Sequence, residues 1–146
     1  MNAVEEILAG RRGTVFAPIV YRLAGQLEGL DEEELADPAT AVYALTSARQ
    51  VFDLPVVFGS FRPAGDDAGE VGLETARRLV AQLGDATPVI GVLDGAWTLD
   101  LGRGYLEAGV AALLVADAAE VEDFEPLANV ASFFSRPLLR LSLIHI

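Results

Sequence analysis

The 146 residues predict an α/β protein built on about five parallel strands. Short, nearly continuous apolar runs at 15–20, 54–58, 88–93, 111–116 and 137–141 have the length and composition of strands buried on both faces. Between them, apolar residues recur at the helical period, so strand and helix alternate as in consecutive βαβ units. The hydrophobic share of 52% is enough for one substantial core, and the length suits one domain. Five such strands fit either part of a TIM-type (β/α) barrel or an open doubly wound sheet. Both place a ligand at the carboxyl ends of the strands.

Taken in order, a short helix is expected over 3–9, ahead of the first strand. The acidic run at 31–34 reads as a solvated helix start, where carboxylates suit the helix dipole. Asp37 followed by Pro38 supplies a cap and a proline at the first helical position. The helix so opened carries the stripe Val42, Leu45, Ala48 and Phe52. After the second strand, residues 62–72 are rich in Gly, Pro and Asp and read as a flexible loop. A helix with Leu73, Ala76, Leu79, Val80 and Leu83 follows and ends at Gly84-Asp85. The last helix carries Val121, Phe124, Leu127, Ala131 and Phe134. All these stripe residues are read as core.

Charge narrows the function classes. There are 22 acidic residues against 10 basic ones, giving a net charge of -12, and every basic residue is arginine. Such a surface repels phosphate backbones and anionic headgroups, so neither a nucleic-acid nor a membrane partner is expected. The acidic excess suits a salt-rich, halophile-like cytoplasm, where screening limits self-repulsion. Without cysteine there is no disulfide, thiolate metal site or thiol nucleophile. The N-terminus lacks the pattern of a signal peptide and no apolar run is long enough to span a bilayer, so a cytoplasmic location is expected. The final residues 141–146, LSLIHI, resemble the translation of a sequencing-adapter end, so a domain at 1–140 that is incomplete at its C-terminus is expected; a genuine apolar final strand is the alternative. His145, the single histidine, falls in that segment.

The most informative stretch is TPVIGVLDGAWTL at 87–99, preceded by ETARRLVAQLGD at 74–85. It is similar to the helix, strand and Gly-rich turn closing in Pro-Trp-Thr-Leu of the uroporphyrinogen decarboxylase family. YLEAGVAALLVAD at 105–117 resembles that family's Glu-Ala-Gly strand ending in Phe-Asp. RGTVFAPI at 12–19, Gly29 and Asp37-Pro38 resemble the related methylcobamide:coenzyme M methyltransferase branch. The resemblance implies a partial or shortened TIM-type barrel and a tetrapyrrole- or corrinoid-linked activity, either loss of carbon dioxide or methyl transfer. A catalytically silent ligand-binding or accessory domain on the same scaffold is the alternative.

Several positions depart from the family. Its decarboxylases follow the second strand with Phe-Ser-Asp, whose carboxylate faces the substrate pyrroles; here FGS at 58–60 puts Ser60 in that place. Their tyrosine five residues beyond the Trp corresponds to Gly102, and their first-loop arginine pair is half retained in RLAGQ at 22–26. The helix expected between Trp-Thr-Leu and Glu-Ala-Gly is nearly absent, since Leu99 and Glu107 are close in sequence, and with it goes much of a barrel wall.

Candidate site residues follow from position and chemistry. Asp94 and Asp117 end strands, where carboxylates reach a ligand or move a proton, and they are the catalytic candidates; a loop cap or an arginine partner is the structural alternative. Arg22 and Arg62 could clamp ligand carboxylates in bidentate fashion, with Ser60 and Trp97 completing the substrate-binding set. Arg103 is read as a surface charge. The expected ligand is a small anion of tetrapyrrole type. No cofactor is evident; a corrinoid or zinc would belong only to the methyltransferase branch and a longer chain. Open edges at the first and last strands make a homodimer the expected protein partner.

Overall fold

A computed structural model describes residues 2–13, 17–61, 63–84, 86–94, 98–116 and 121–141, except the side chains of 121–123. Helix α1 (Ala3–Leu8) is held by a capping box in which Asn2 and Glu5 each accept from the other's backbone amide. Helices α2 (Tyr21–Leu27) and α3 (Glu32–Leu35) follow, the latter capped by Asp31 within the acidic run. Asp37 caps α4 (Pro38–Phe52) as expected, its side chain accepting from both the amide and the hydroxyl of Thr40.

The sheet then begins. Strand β1 (Val57–Phe58), helix α5 (Ala68–Leu83), strand β2 (Val89–Leu93), helix α6 (Leu99–Glu107), strand β3 (Ala112–Val115), helix α7 (Val121–Phe133) and strand β4 (Leu138–Arg140) alternate to the end. All neighbouring strands are parallel, in the order β1-β2-β3-β4. Register is set by pairs such as Ile90 with Ala112 and Leu114 with Leu139. The order runs without reversal, as along a barrel wall or one half of a doubly wound sheet. Right-handed crossovers advancing in one direction place their helices on the same face.

The two faces alternate residue by residue. Val57, Val89, Leu93, Leu113 and Val115 pack toward the helices, with Leu79, Leu106 and Leu127 among their neighbours. Val56, Ile90, Val92, Ala112 and Leu114 form the opposite layer, and Val4 and Leu8 of α1 join it. Asn2 anchors that helix by donating through Nδ2 to the carbonyl of Pro55 at 3.1 Å.

Three expectations are corrected. The described part of the first expected strand, 17–20, carries no strand, and 14–16 lie outside the described residues. Pro18 lacks the amide a ladder needs and Val20 already caps α2, which leaves too little chain to pair. The loop expected over 62–72 ends early, because α5 begins at Ala68 and includes Gly69 and Gly72. Tight packing explains those helical glycines: a β-carbon on Gly72 would lie 2.5 Å from the Tyr105 hydroxyl. Finally, the wall between Leu99 and Glu107 is not missing. The nine residues of α6 are themselves a helix, capped by Thr98, and Gly109 at φ 95° turns the chain into β3.

Candidate functional site

The carboxyl ends of β1 and β2 and the first turns of α5 and α6 enclose a cavity of about 280 Å³. Strand β1 delivers Ser60 two residues past its end, and β2 delivers Asp94 directly after Leu93. Helix α5 contributes Ala68, Gly69 and Gly72, and α6 contributes Leu101 and Tyr105. This is where both parallel-sheet architectures hold ligands.

Ser60 is 3% exposed, and its hydroxyl has no hydrogen-bond partner among the described residues. It lies close enough to the Tyr21 phenol to favour the ionised form of that ring, without the geometry of a formed hydrogen bond. Tyr21 itself donates to the carbonyl of Leu35 at 3.0 Å. Burial raises the Tyr21 pKa above its ordinary value; Ser60 and the Arg22 guanidinium oppose that rise and Glu32 adds to it.

Tyr105 is the functional candidate that sequence reasoning missed. Its ring lies across Gly91 of β2, where a β-carbon would come within 2.5 Å of Cδ1, and its hydroxyl rests against Gly72 of α5. The residue is 2% exposed, and burial alone pushes its phenol far above the ordinary value. Tyr105 therefore presents a protonated hydroxyl to the cavity throughout the neutral range. The sequence signal was Gly91 inside the predicted strand at 88–93, since a glycine within a strand marks close approach by another group.

Asp94, partly buried after β2, lines the same cavity one strand over from Ser60. Arg22 is placed elsewhere. Its guanidinium pairs with Glu32 at 3.0 Å, both side chains being well exposed, and it borders a separate hollow with Tyr21 and Phe61. Arg62, Trp97 and Asp117 lie outside the described residues. Of the candidate residues, Ser60 and Asp94 line one cavity.

No protein-family model matches the chain, and no curated protein or solved structure matches it either. Among the described residues, no three histidine, cysteine or acidic side chains converge to hold a metal, and no helix is long and apolar enough to cross a membrane. A larger hollow of about 810 Å³ lies on the outer surface between α4 and α5, rimmed by Glu33, Asp37, Asp67 and Glu70. It is shallow and lined by like charges, whereas the smaller cavity is lined by Ser60, Tyr105 and Asp94 among mostly apolar neighbours.

Proposed function

We propose that this chain is a uroporphyrinogen decarboxylase-like (β/α) unit, part of a TIM-type barrel, which binds a carboxylate-bearing pyrrole ligand at the carboxyl ends of β1 and β2 without decarboxylating it. The single observation that carries the reading is the convergence of Ser60, Asp94 and Tyr105 on one cavity at those strand ends. The unreversed parallel order and the motif resemblance at 74–117 support the scaffold.

The chemistry follows from the groups present. A pyrrole N–H is a donor that a carboxylate accepts well, and Asp94 stands at the rim to do so. Decarboxylation of an acetate arm builds positive charge on a protonated ring, and a fixed carboxylate beneath the ring stabilises it. Ser60 offers only a dipole in that place. Arg22, committed to Glu32 beside another hollow, does not hold an acetate arm in this cavity. Binding with no turnover is the expected result.

Isothermal titration with a monopyrrole bearing acetate and propionate arms tests the reading. Saturable binding to the intact chain, weakened about tenfold or more by Asp94→Asn, is expected, since a charge-assisted hydrogen bond contributes roughly 1.5–3 kcal/mol. Binding unaffected by that substitution would sink the assignment. Chromatography after anaerobic incubation with uroporphyrinogen should show no product of carbon dioxide loss; clear product would show that the chain is a working decarboxylase.

A further inference from the structure

We infer that the outer face of α6 and α7 is a self-complementary interface, on which a second copy of this chain docks about a two-fold axis with Arg103 of each copy facing Glu107 of the other. The inference stands apart from the pyrrole reading, because this face and the strand-end cavity share no lining residue.

Phe133 ends α7 and is 85% exposed. One exposed phenylalanine is ordinary on a protein surface. This one stands beside a hollow of about 450 Å³ between the two helices, walled also by Arg103, Glu107, Asn129, Val130 and Phe134. Roughly 150 Å³ suffices to hold benzene, so the hollow has room for a phenyl ring from outside. Phe134 meets Phe133 edge-on, with ring centroids 5.5 Å apart at 79°, and Val130 is half-buried, so apolar walls stand next to charged ones. An apolar centre with a polar rim is the make-up of a protein interface.

Charge names the occupant. The chain carries a net charge of -12, and Arg11, Arg22, Arg77 and Arg78 are paired with acidic side chains. Arg103 is exposed and makes no ion pair among the described residues, and the same holds for Glu107 one helical turn on. That the two do not pair with each other fits the weaker order of arginine ahead of glutamate on a helix. A free cation and a free anion at i and i+4 make a surface that matches its own reverse: a helix laid antiparallel on it brings each charge to its opposite. A partner of one sign would meet one of the two and repel the other, whereas a second copy satisfies both.

The topology lines up the second helix with the first. Helices α6 and α7 each return from the carboxyl end of one parallel strand to the amino end of the next, so they run in the same direction. Glu107 ends α6 five residues before β3 begins at 112, and Phe133 ends α7 five residues before β4 begins at 138. These two residues therefore sit at one level, and Arg103 and Asn129 sit one turn earlier. A two-fold axis laid across both helices, midway between the levels, makes each helix antiparallel to its counterpart. Arg103 then faces Glu107 of the second copy at two equivalent contacts, and Phe133 lies over Asn129 and Val130 of the second copy, at the hollow. An axis laid along the helices would instead set Glu107 against a phenyl ring and Arg103 against Asn129. Charge selects the crossing axis.

Sedimentation velocity of the intact chain over a wide concentration range tests the inference. At about 0.5 M salt the long-range repulsion between two chains of net charge -12 is screened, whereas contact pairs are screened much less. A reversible dimer with a Kd on the order of 100 μM is expected, as suits an interface of the smallest size class, so the range should run from about 1 μM to about 1 mM. Phe133→Ala, Arg103→Glu and Glu107→Arg should each weaken the dimer about tenfold or more. All three positions are exposed, so the thermal melts of the variants should match that of the intact chain. An equimolar mixture of the Arg103→Glu and Glu107→Arg chains should recover a dimer of nearly the original affinity, because acid again faces arginine at both contacts. An intact chain that stays monomeric throughout leaves the hollow to another occupant and overturns the inference. Dimers that persist in all three variants put the contact elsewhere, and variants that fail separately without recovering in the mixture rule out the reciprocal pairing; either result overturns it as well.

Discussion

Replacing Gly72 with alanine tests the placement of Tyr105 to within one atom. Gly72 lies in the interior of α5, where alanine is favoured over glycine by about 0.8–1.0 kcal/mol. In this protein, however, the new β-carbon would sit 2.5 Å from the Tyr105 hydroxyl oxygen, far inside contact distance, with ring carbon Cζ next at 3.8 Å. Tyr105 cannot easily retreat, because its ring is already pressed on Gly91 and the residue is 2% exposed. Overpacking of this kind costs roughly 1–3 kcal/mol, so Gly72→Ala should be neutral to about 2 kcal/mol destabilising. Tyr105→Phe removes the one offending atom and keeps the packed ring, so the substitution should cost little. In the Tyr105→Phe background, Gly72→Ala then meets only the 3.8 Å contact and should stabilise by about 1 kcal/mol. The sign reverses, with a coupling energy of about 1–3 kcal/mol. Urea unfolding of the four proteins at fixed high ionic strength measures it, the midpoint moving by about 0.5 M or more between backgrounds. If Gly72→Ala stabilises both backgrounds equally, Tyr105 does not lie where the argument requires.

Three further outcomes follow. With no lysine, no cysteine and three tyrosines in the chain, tyrosines dominate side-chain titration above about pH 9. Burial raises the folded-state pKa of Tyr105 and Tyr21, so the folded state keeps protons that the unfolded chain has lost; stability is fully present below the ordinary phenol range and falls as pH rises through it. Tyr105→Phe should flatten that alkaline decline, as read by urea midpoints against pH. Ser60→Asp should not restore a fixed charge: at a 3% exposed position sharing a cavity with Asp94, the new carboxyl is pushed toward its neutral form by desolvation and like charge. The variant should lose about 1–3 kcal/mol and lose more at neutral than at mildly acidic pH; equal stability at both would refute this. Asn2→Ala removes both the cap of α1 and the bond to Pro55, so it should cost about 1 kcal/mol and raise hydrogen exchange along α1 without changing the sheet's amides.

Much of the fold was legible because its causes are local. The runs at 88–93 and 111–116 predicted β2 and β3 since strands covered on both faces need continuous apolar residues, and Asp37-Pro38 predicted the start of α4 because a cap and a preset φ act within one turn. The same locality misled at 15–20, where a good apolar run contains Pro18, and at 62–72, where Gly69 and Gly72 read as loop but belong to α5. It also misled at 99–107, where a short connection read as a missing wall is a helix.

The sequence by itself determined an α/β chain with parallel strands; it pointed to Asp94 from its position after a strand and to Ser60 from the family resemblance. Tertiary structure alone decided that these two share a cavity, that Arg22 turns away to Glu32, and that Tyr105 reaches the site across Gly91 and Gly72. Strand ends follow from periodicity along the chain, but which side chains meet there depends on register and on the packing of α5 against α6, and those are fixed only when distant segments close on one another.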